Sequence, residues 1–146
     1  MEEKQKENES ELKQQITQGY LELQLIDRQL RQLQAQMQAL EAQALELDTV
    51  SSQLDDFGRL EIGSELFVQI APGIFAKAEL KENKELLVNV GGGAAVKESI
   101  PETKALLAAQ VAEIRKVQQE LGQQIEKLTT EARKLEESIQ KLISKK

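Results

Sequence analysis

The sequence contains no cysteine, histidine or tryptophan, and only four aromatic residues among 146. Without cysteine and histidine there can be no disulfide, thiol nucleophile, zinc finger or imidazole base. Compact cores draw much of their burial from Phe, Tyr and Trp, so scarce aromatics argue against a large globular core. No apolar run approaches the ~20 residues needed to cross a bilayer. The start, Met1-Glu2-Glu3-Lys4-Gln5-Lys6-Glu7, lacks the apolar stretch of a signal peptide. A net charge of −6 repels a phosphate backbone unless a local basic stripe offsets it. Lys145 and Lys146 read as a solubilising end rather than such a stripe. These absences predict a cytoplasmic protein with no cofactor, no metal, no nucleic-acid partner and no membrane span. They also disfavour catalysis, since no nucleophile–base pair, metal cluster or pocket-forming core can be assembled from what remains.

What is present is the vocabulary of long helices: Ala, Glu, Leu, Lys and 19 Gln. Both prolines, Pro72 and Pro101, and six of the eight glycines fall between Asp55 and Glu102. Phe57, Phe67 and Phe75 share that stretch, and only Tyr20 lies outside it. The breakers divide the chain into a helix over 1–56, a strand-and-turn centre over 57–98 and a second helix over 99–146.

The first helix repeats apolar residues at alternating spacings of three and four. Ile16, Leu23, Leu30, Met37, Ala44 and Ser51 take position a, and Leu12, Gly19, Ile26, Leu33, Leu40, Leu47 and Leu54 take d. In the second, Val111, Gln118, Ile125, Ala132 and Ile139 are at a, and Leu107, Ile114, Leu121, Leu128, Leu135 and Leu142 at d. Sustained heptads of this kind specify a coiled coil. At ~1.5 Å per residue the helices would run on the order of 80 Å and 65 Å. Asp55-Asp56-Phe57-Gly58 offers a stop, with Gly58 expected in the left-handed conformation. Ser99-Ile100-Pro101-Glu102 matches a capping box.

Four segments of period-two character lie between the helices. Leu66, Val68 and Ile70 form the first, Ile74, Ala76, Ala78 and Leu80 the second. Leu86, Val88 and Val90 form the third, and Ala94 and Val96 lead the fourth toward Ser99. Ala71-Pro72-Gly73 and Gly91-Gly92-Gly93 join them as two hairpins, with Lys81-Glu82-Asn83-Lys84 between. Two small hairpins bury little and leave unpaired edges, so they require other subunits. The predicted architecture is α+β: a long antiparallel coiled-coil helical hairpin with two central β-hairpins that assemble into an inter-subunit β-barrel. The assembly surface is expected at Leu66, Val68, Ile70, Ile74, Leu86, Val88, Val90 and Val96.

Pairing a with d positions whose numbers sum to 158 sets Ile16 on Leu142, Leu23 on Leu135, Leu30 on Leu128 and Met37 on Leu121. It also opposes small with large: Ala44 with Ile114, Gly19 with Ile139, and Ile26 with Ala132. That alternation fills layers without voids. Flanking e and g positions carry few complementary charges, which suits an intrachain partner fixed by the connection.

The sequence resembles the alpha class of the prefoldin family on the residues Gly63-Ser64-Glu65-Leu66-Phe67-Val68-Gln69-Ile70, Gly73-Ile74-Phe75-Ala76-Lys77-Ala78-Glu79-Leu80 and Leu87-Val88-Asn89-Val90-Gly91-Gly92-Gly93. Two hairpins favour alpha, because a beta-class subunit has one. Ala71-Pro72-Gly73 departs from the family pattern, in which a glycine often follows the first strand. The resemblance implies a hexamer of two alpha and four beta subunits, an ATP-independent holdase that binds unfolded clients and passes them to a group II chaperonin. The tip of the coil, where clients would bind, then contains Leu12, Ile16, Tyr20, Ile139, Leu142 and Ile143. Tyr20 and Ile143 lie at e, off the seam; the other four either finish the coil or fray into an adaptable patch.

Other signals compete weakly. Gly91-Gly92-Gly93 lacks the Gly-Lys-Ser/Thr of a phosphate loop and is flanked by strands. Asp55, Asp56, Glu61 and Glu65 lack calcium-loop spacing. Gln118 at a either specifies register or forms a wet layer opposite Leu40, and Gly122 permits a bend or close contact. An alternative to the holdase is a structural coiled-coil adaptor or tether that binds defined partners along its helix faces.

Overall fold

A computed structural model describes residues 2–145; Met1 and Lys146, the latter half of the terminal lysine pair, lie outside the described residues. The elements are α1 (Glu2–Gly58), β1 (Glu65–Ala71), β2 (Ile74–Glu79), β3 (Glu85–Gly91), β4 (Ala94–Ser99) and α2 (Ile100–Ser144). The chain forms two compact units, Met1–Glu41 with Lys116–Lys146, and Ala42–Arg115.

The first unit pairs segments of α1 and α2 along the heptad seam. Leu12, Ile16, Leu23, Ile26, Leu30, Leu33 and Met37 are half-buried, as are Ile125, Leu128, Leu135 and Leu142, while Leu121 and Ile139 are buried. The expected register is the one observed: a Cβ placed on Gly19 would lie 2.9 Å from Ile139 Cγ1 and 4.0 Å from Leu135 Cδ1. One built on Gly122 would meet Met37 Cε at 3.9 Å, an ordinary contact that does not require a glycine there. Gln118 is a polar member of the seam. Its Nε2 donates to Glu41 Oε2 at 3.0 Å and to the Met37 carbonyl at 3.5 Å.

The second unit holds the hairpins and the helix segments that flank them. The same register holds here, since a Cβ on Gly58 would sit 3.0 Å from Ile100 Cδ1. This corrects the expected role of Gly58, which lies within α1 and does not have positive φ. Its missing side chain serves helix–helix approach. The helix ends instead in a tightened turn, with Arg59 N–H donating to the Asp56 carbonyl and Leu60 N–H to that of Phe57, each at 3.2 Å. Lys104 Nζ meets both carboxylate oxygens of Asp55 at 2.8 Å. The start of α2 is capped as expected. Ser99 Oγ accepts the Glu102 N–H at 3.2 Å and donates to Glu102 Oε1 at 3.1 Å, while Thr103 Oγ1 donates to the Ser99 carbonyl at 2.8 Å.

β1–β2 and β3–β4 are separate antiparallel two-stranded sheets. Their registers match at an offset of twenty residues: Leu66↔Ala78 with Leu86↔Glu98, Phe67↔Lys77 with Leu87↔Lys97, and Val68↔Ala76 with Val88↔Val96. Each shifts register at the same place, between Gln69 and Ala71 and between Asn89 and Gly91, leaving two-residue turns at Pro72-Gly73 and Gly92-Gly93. The turns differ in conformation. In the first only Gly73 has positive φ (+77°), whereas Gly91, Gly92 and Gly93 have φ of +98°, +63° and +76°. The Ala71-Pro72-Gly73 sequence thus changes the turn without changing the pairing.

Between the hairpins, Leu80 is buried, its N–H donates to the Ser64 carbonyl at 2.8 Å, and its own carbonyl accepts the Gly63 N–H at 2.7 Å. Asn83 Nδ2 donates to the Leu60 carbonyl at 2.8 Å and to that of Gly58 at 3.2 Å. These bonds fix the base of both hairpins against the end of α1.

Candidate assembly and client-binding surfaces

A strand with one covered face alternates apolar and polar side chains, because successive residues point to opposite sides. β1 and β3 carry Leu66-Phe67-Val68 and Leu86-Leu87-Val88 without a polar interruption. In each hairpin one face therefore presents Leu66 and Val68, or Leu86, Val88 and Val96, and the other presents Phe67 and Phe75, or Leu87. Neither face of the first hairpin is closed: Phe67 is 72% exposed, and Val68 and Phe75 are exposed too. Leu87 is 73% exposed, with Val90 and Val96 also open to solvent.

Of the residues expected at the assembly surface, Leu66, Leu86 and Val88 are half-buried, and Val68, Ile70, Ile74, Val90 and Val96 are exposed. Ile70 and Val90 sit at the register shifts, which interrupts the simple alternation that grouped them with Leu66 and Leu86. The alternation left Phe67, Phe75 and Leu87 out of the expected assembly residues. The uninterrupted apolar triplets were the available signal, since such runs mark strands buried on both sides.

The first unit sorts its expected client-binding residues into two groups. Leu12, Ile16 and Leu142 are half-buried in the seam, and Ile139 is buried at 3% exposure against Gly19. Tyr20 and Ile143 are exposed. Two leucines outside the heptad seam, Leu21 and Leu25, are more exposed than either, at 57% and 56%. They lie four residues apart, one helical turn, and so share a face of α1. Below Tyr20, the side chains of Leu23, Ile26, Leu30 and Ala132 line a cleft rimmed by Gln24, Asp27 and Glu136.

Among the described residues there is no group of His, Cys, Asp or Glu arranged to hold a metal ion. No helix among them is long and apolar enough to cross a membrane.

The two-helix, two-hairpin order is matched by a model of the family described as prefoldin subunit, over residues 26–145. The chain belongs to the prefoldin family. Prefoldins are non-enzymatic chaperones, and the fold found here is theirs: paired long helices with small antiparallel hairpins between them. A cryo-EM structure of filamentous PFD from Methanocaldococcus jannaschii is similar, with a TM-score of 0.71 and 17% identity over 77% of this chain and 93% of that one. At that identity the likeness bears on the fold. No curated protein sequence matches the chain. In a prefoldin subunit, the two open hairpins and the exposed apolar residues of the paired helices are the surfaces that need explanation.

Proposed function

We propose that this prefoldin is an alpha-class, ATP-independent holdase subunit that assembles through its hairpins and holds non-native proteins on the first unit. The observation that carries the reading is the two-faced apolar surface of each hairpin. A two-stranded sheet with Phe67, Phe75 and Leu87 open to water is marginal alone and gains its burial from neighbouring subunits. Two such hairpins give the chain two attachment points, which suits the alpha class and a hexamer of two alpha and four beta subunits around a shared β-barrel. The filamentous PFD is an assembly of prefoldin chains, which supports oligomerisation of this fold.

Clients would bind at Tyr20, Leu21, Leu25 and Ile143, which offer apolar area without disturbing the seam. Non-native chains expose scattered apolar side chains, and a helical surface without a fixed pocket can meet many of them weakly. Transfer to a group II chaperonin in the cytoplasm completes the reading. The test is suppression of aggregation of a thermally unfolding client by the assembled protein. Leu21→Ser/Leu25→Ser/Ile143→Ser should reduce suppression while leaving assembly mass unchanged by native mass spectrometry. Undiminished suppression would overturn the location of the client surface.

The alternative, a tether that binds along its helix faces, has one observation on its side. Leu47, Leu106, Ala109 and Ile114 line an open groove in the second unit, rimmed by Glu46 and Glu113. A tether predicts that Leu106→Ser abolishes partner binding and that the Ser triple variant does not.

A further inference from the structure

We infer that Glu98 is a specificity-determining residue of the second hairpin, positioned to receive an Arg or Lys side chain from the hairpin of a neighbouring subunit. The inference rests on hairpin-mediated assembly and adds which chemistry the partner must present.

The two hairpins share register, and Glu98 takes the place that Ala78 holds in the first: Ala78 faces Leu66, and Glu98 faces Leu86. A carboxylate therefore stands where its counterpart has only a methyl group. Cross-strand alternation places Glu98 on the same face as Leu86, Val88 and Val96, an otherwise apolar surface. Its Oε2 is enclosed yet has no hydrogen-bond partner among the described residues. The residue as a whole is half-buried, so part of it still meets solvent. An enclosed carboxylate oxygen without a partner is unfavourable, and a charge-assisted bond is the strongest remedy.

Among the described residues, no cation of the chain forms an ion pair with Glu98. Lys97 is the adjacent residue in β4 and points to the opposite face, across from Leu87. Lys77 pairs with Glu65, Arg59 with Asp56 and Lys104 with Asp55. The counter-charge must come from outside. Val96, two residues away on the same face, is exposed, while Leu86 and Val88 beside it are half-buried. A neighbouring hairpin that covers the valines and brings a cation to the carboxylate would satisfy both needs. A subunit with an apolar or acidic side chain there would bury the charge unpaired. The first hairpin, with Ala78, does not make that discrimination, so the chain's two attachment points differ in the partners they accept.

The test uses the full chain co-expressed with a beta-class prefoldin subunit, read by native mass spectrometry and by dilution of the complex. Glu98→Ala and Glu98→Gln should each weaken association at least tenfold, and Glu98→Lys should remove the subunit bound at the second hairpin. In the isolated chain, Glu98→Ala should raise the thermal midpoint, because it removes the unpaired group. That opposition of signs separates partner reading from an ordinary structural role. Association of Glu98→Ala equal to wild type, or a lowered midpoint in the isolated chain, overturns the inference. Val96→Asp is the control for the assembly reading. If it too associates normally, or if the wild-type chain binds no subunit, hairpin-mediated assembly fails and the role of Glu98 falls with it. Normal association of the Glu98 variants with loss in Val96→Asp sinks the Glu98 inference alone.

Discussion

Gly19 and Ile139 meet across the helix pair so closely that a Cβ on the glycine would lie 2.9 Å from Ile139 Cγ1 and 3.0 Å from its Cδ1. Glycine in a helix interior is normally worth about 1 kcal/mol less than alanine, so an exposed site would reward the replacement. Here the added methyl intrudes on a side chain that is itself buried. Gly19→Ala should lower the thermal midpoint of the isolated chain, with an overpacking cost of roughly 1–3 kcal/mol offsetting the propensity gain. In an Ile139→Ala background the clash is gone, and the same substitution should stabilise by about 1 kcal/mol. A double-mutant cycle on thermal or urea unfolding measures the coupling. Absence of that sign reversal would mean the two residues do not oppose each other.

Ser99 holds the first turn of α2 by accepting the Glu102 N–H. Ser99→Ala should destabilise the chain by about 1 kcal/mol. Ser99→Asp, which keeps an acceptor and adds favourable charge at a helix start, should recover most of that loss. Equal midpoints for the wild type and Ser99→Ala in denaturant unfolding would show that the cap contributes nothing. Since Ser99 also ends β4, the loss should appear in the hairpin as well as the helix by hydrogen exchange.

The seam, the register and the two hairpins were legible because each rests on periodicity. A glycine at d opposite Ile139 makes sense only in one antiparallel alignment, and that alignment follows from chain order. Gly58 was harder. A glycine after an acidic helix end reads as a left-handed stop, and only the proximity of Ile100 reveals the steric reason for it. Phe67 and Leu87 were left out because a period-two reading groups only the alternate positions, Leu66 with Val68 and Leu86 with Val88. The exposed Leu21 and Leu25 lie outside the heptad seam, where sequence alone attaches no role to a leucine.

Phe67 and Phe75 differ from most surface residues in that the isolated chain gains little from either. Phe67→Asp should leave the helical circular dichroism and thermal midpoint of the isolated chain nearly unchanged, within about 0.5 kcal/mol as for exposed sites in general. Subunit association should fall by two orders of magnitude or more, as expected when a charge is forced into an apolar contact. Sedimentation velocity on mixtures with partner subunits checks both halves. A variant that unfolds alone would place Phe67 in an intrachain core instead.

The Lys104–Asp55 pair offers a measure of how much electrostatics contributes to closing the helices at the hairpin base. The ammonium meets both carboxylate oxygens at 2.8 Å, yet the two side chains are 36% and 40% exposed. Water therefore screens the pair, and its coupling should be modest, about 0.5–1 kcal/mol in a double-mutant cycle of Lys104→Ala with Asp55→Ala. Raising salt to about 1 M, where the Debye length falls to roughly 3 Å, should diminish that coupling. The nearby Gly58–Ile100 contact, which is steric, should not respond to salt. Gly58→Ala places a methyl 3.0 Å from Ile100 Cδ1, and its effect on unfolding should be similar at low and high salt. If the ion-pair coupling instead persists unchanged in high salt, the pair closes more tightly against water than its exposure indicates, and the base of the helix pair is held by charge as much as by shape.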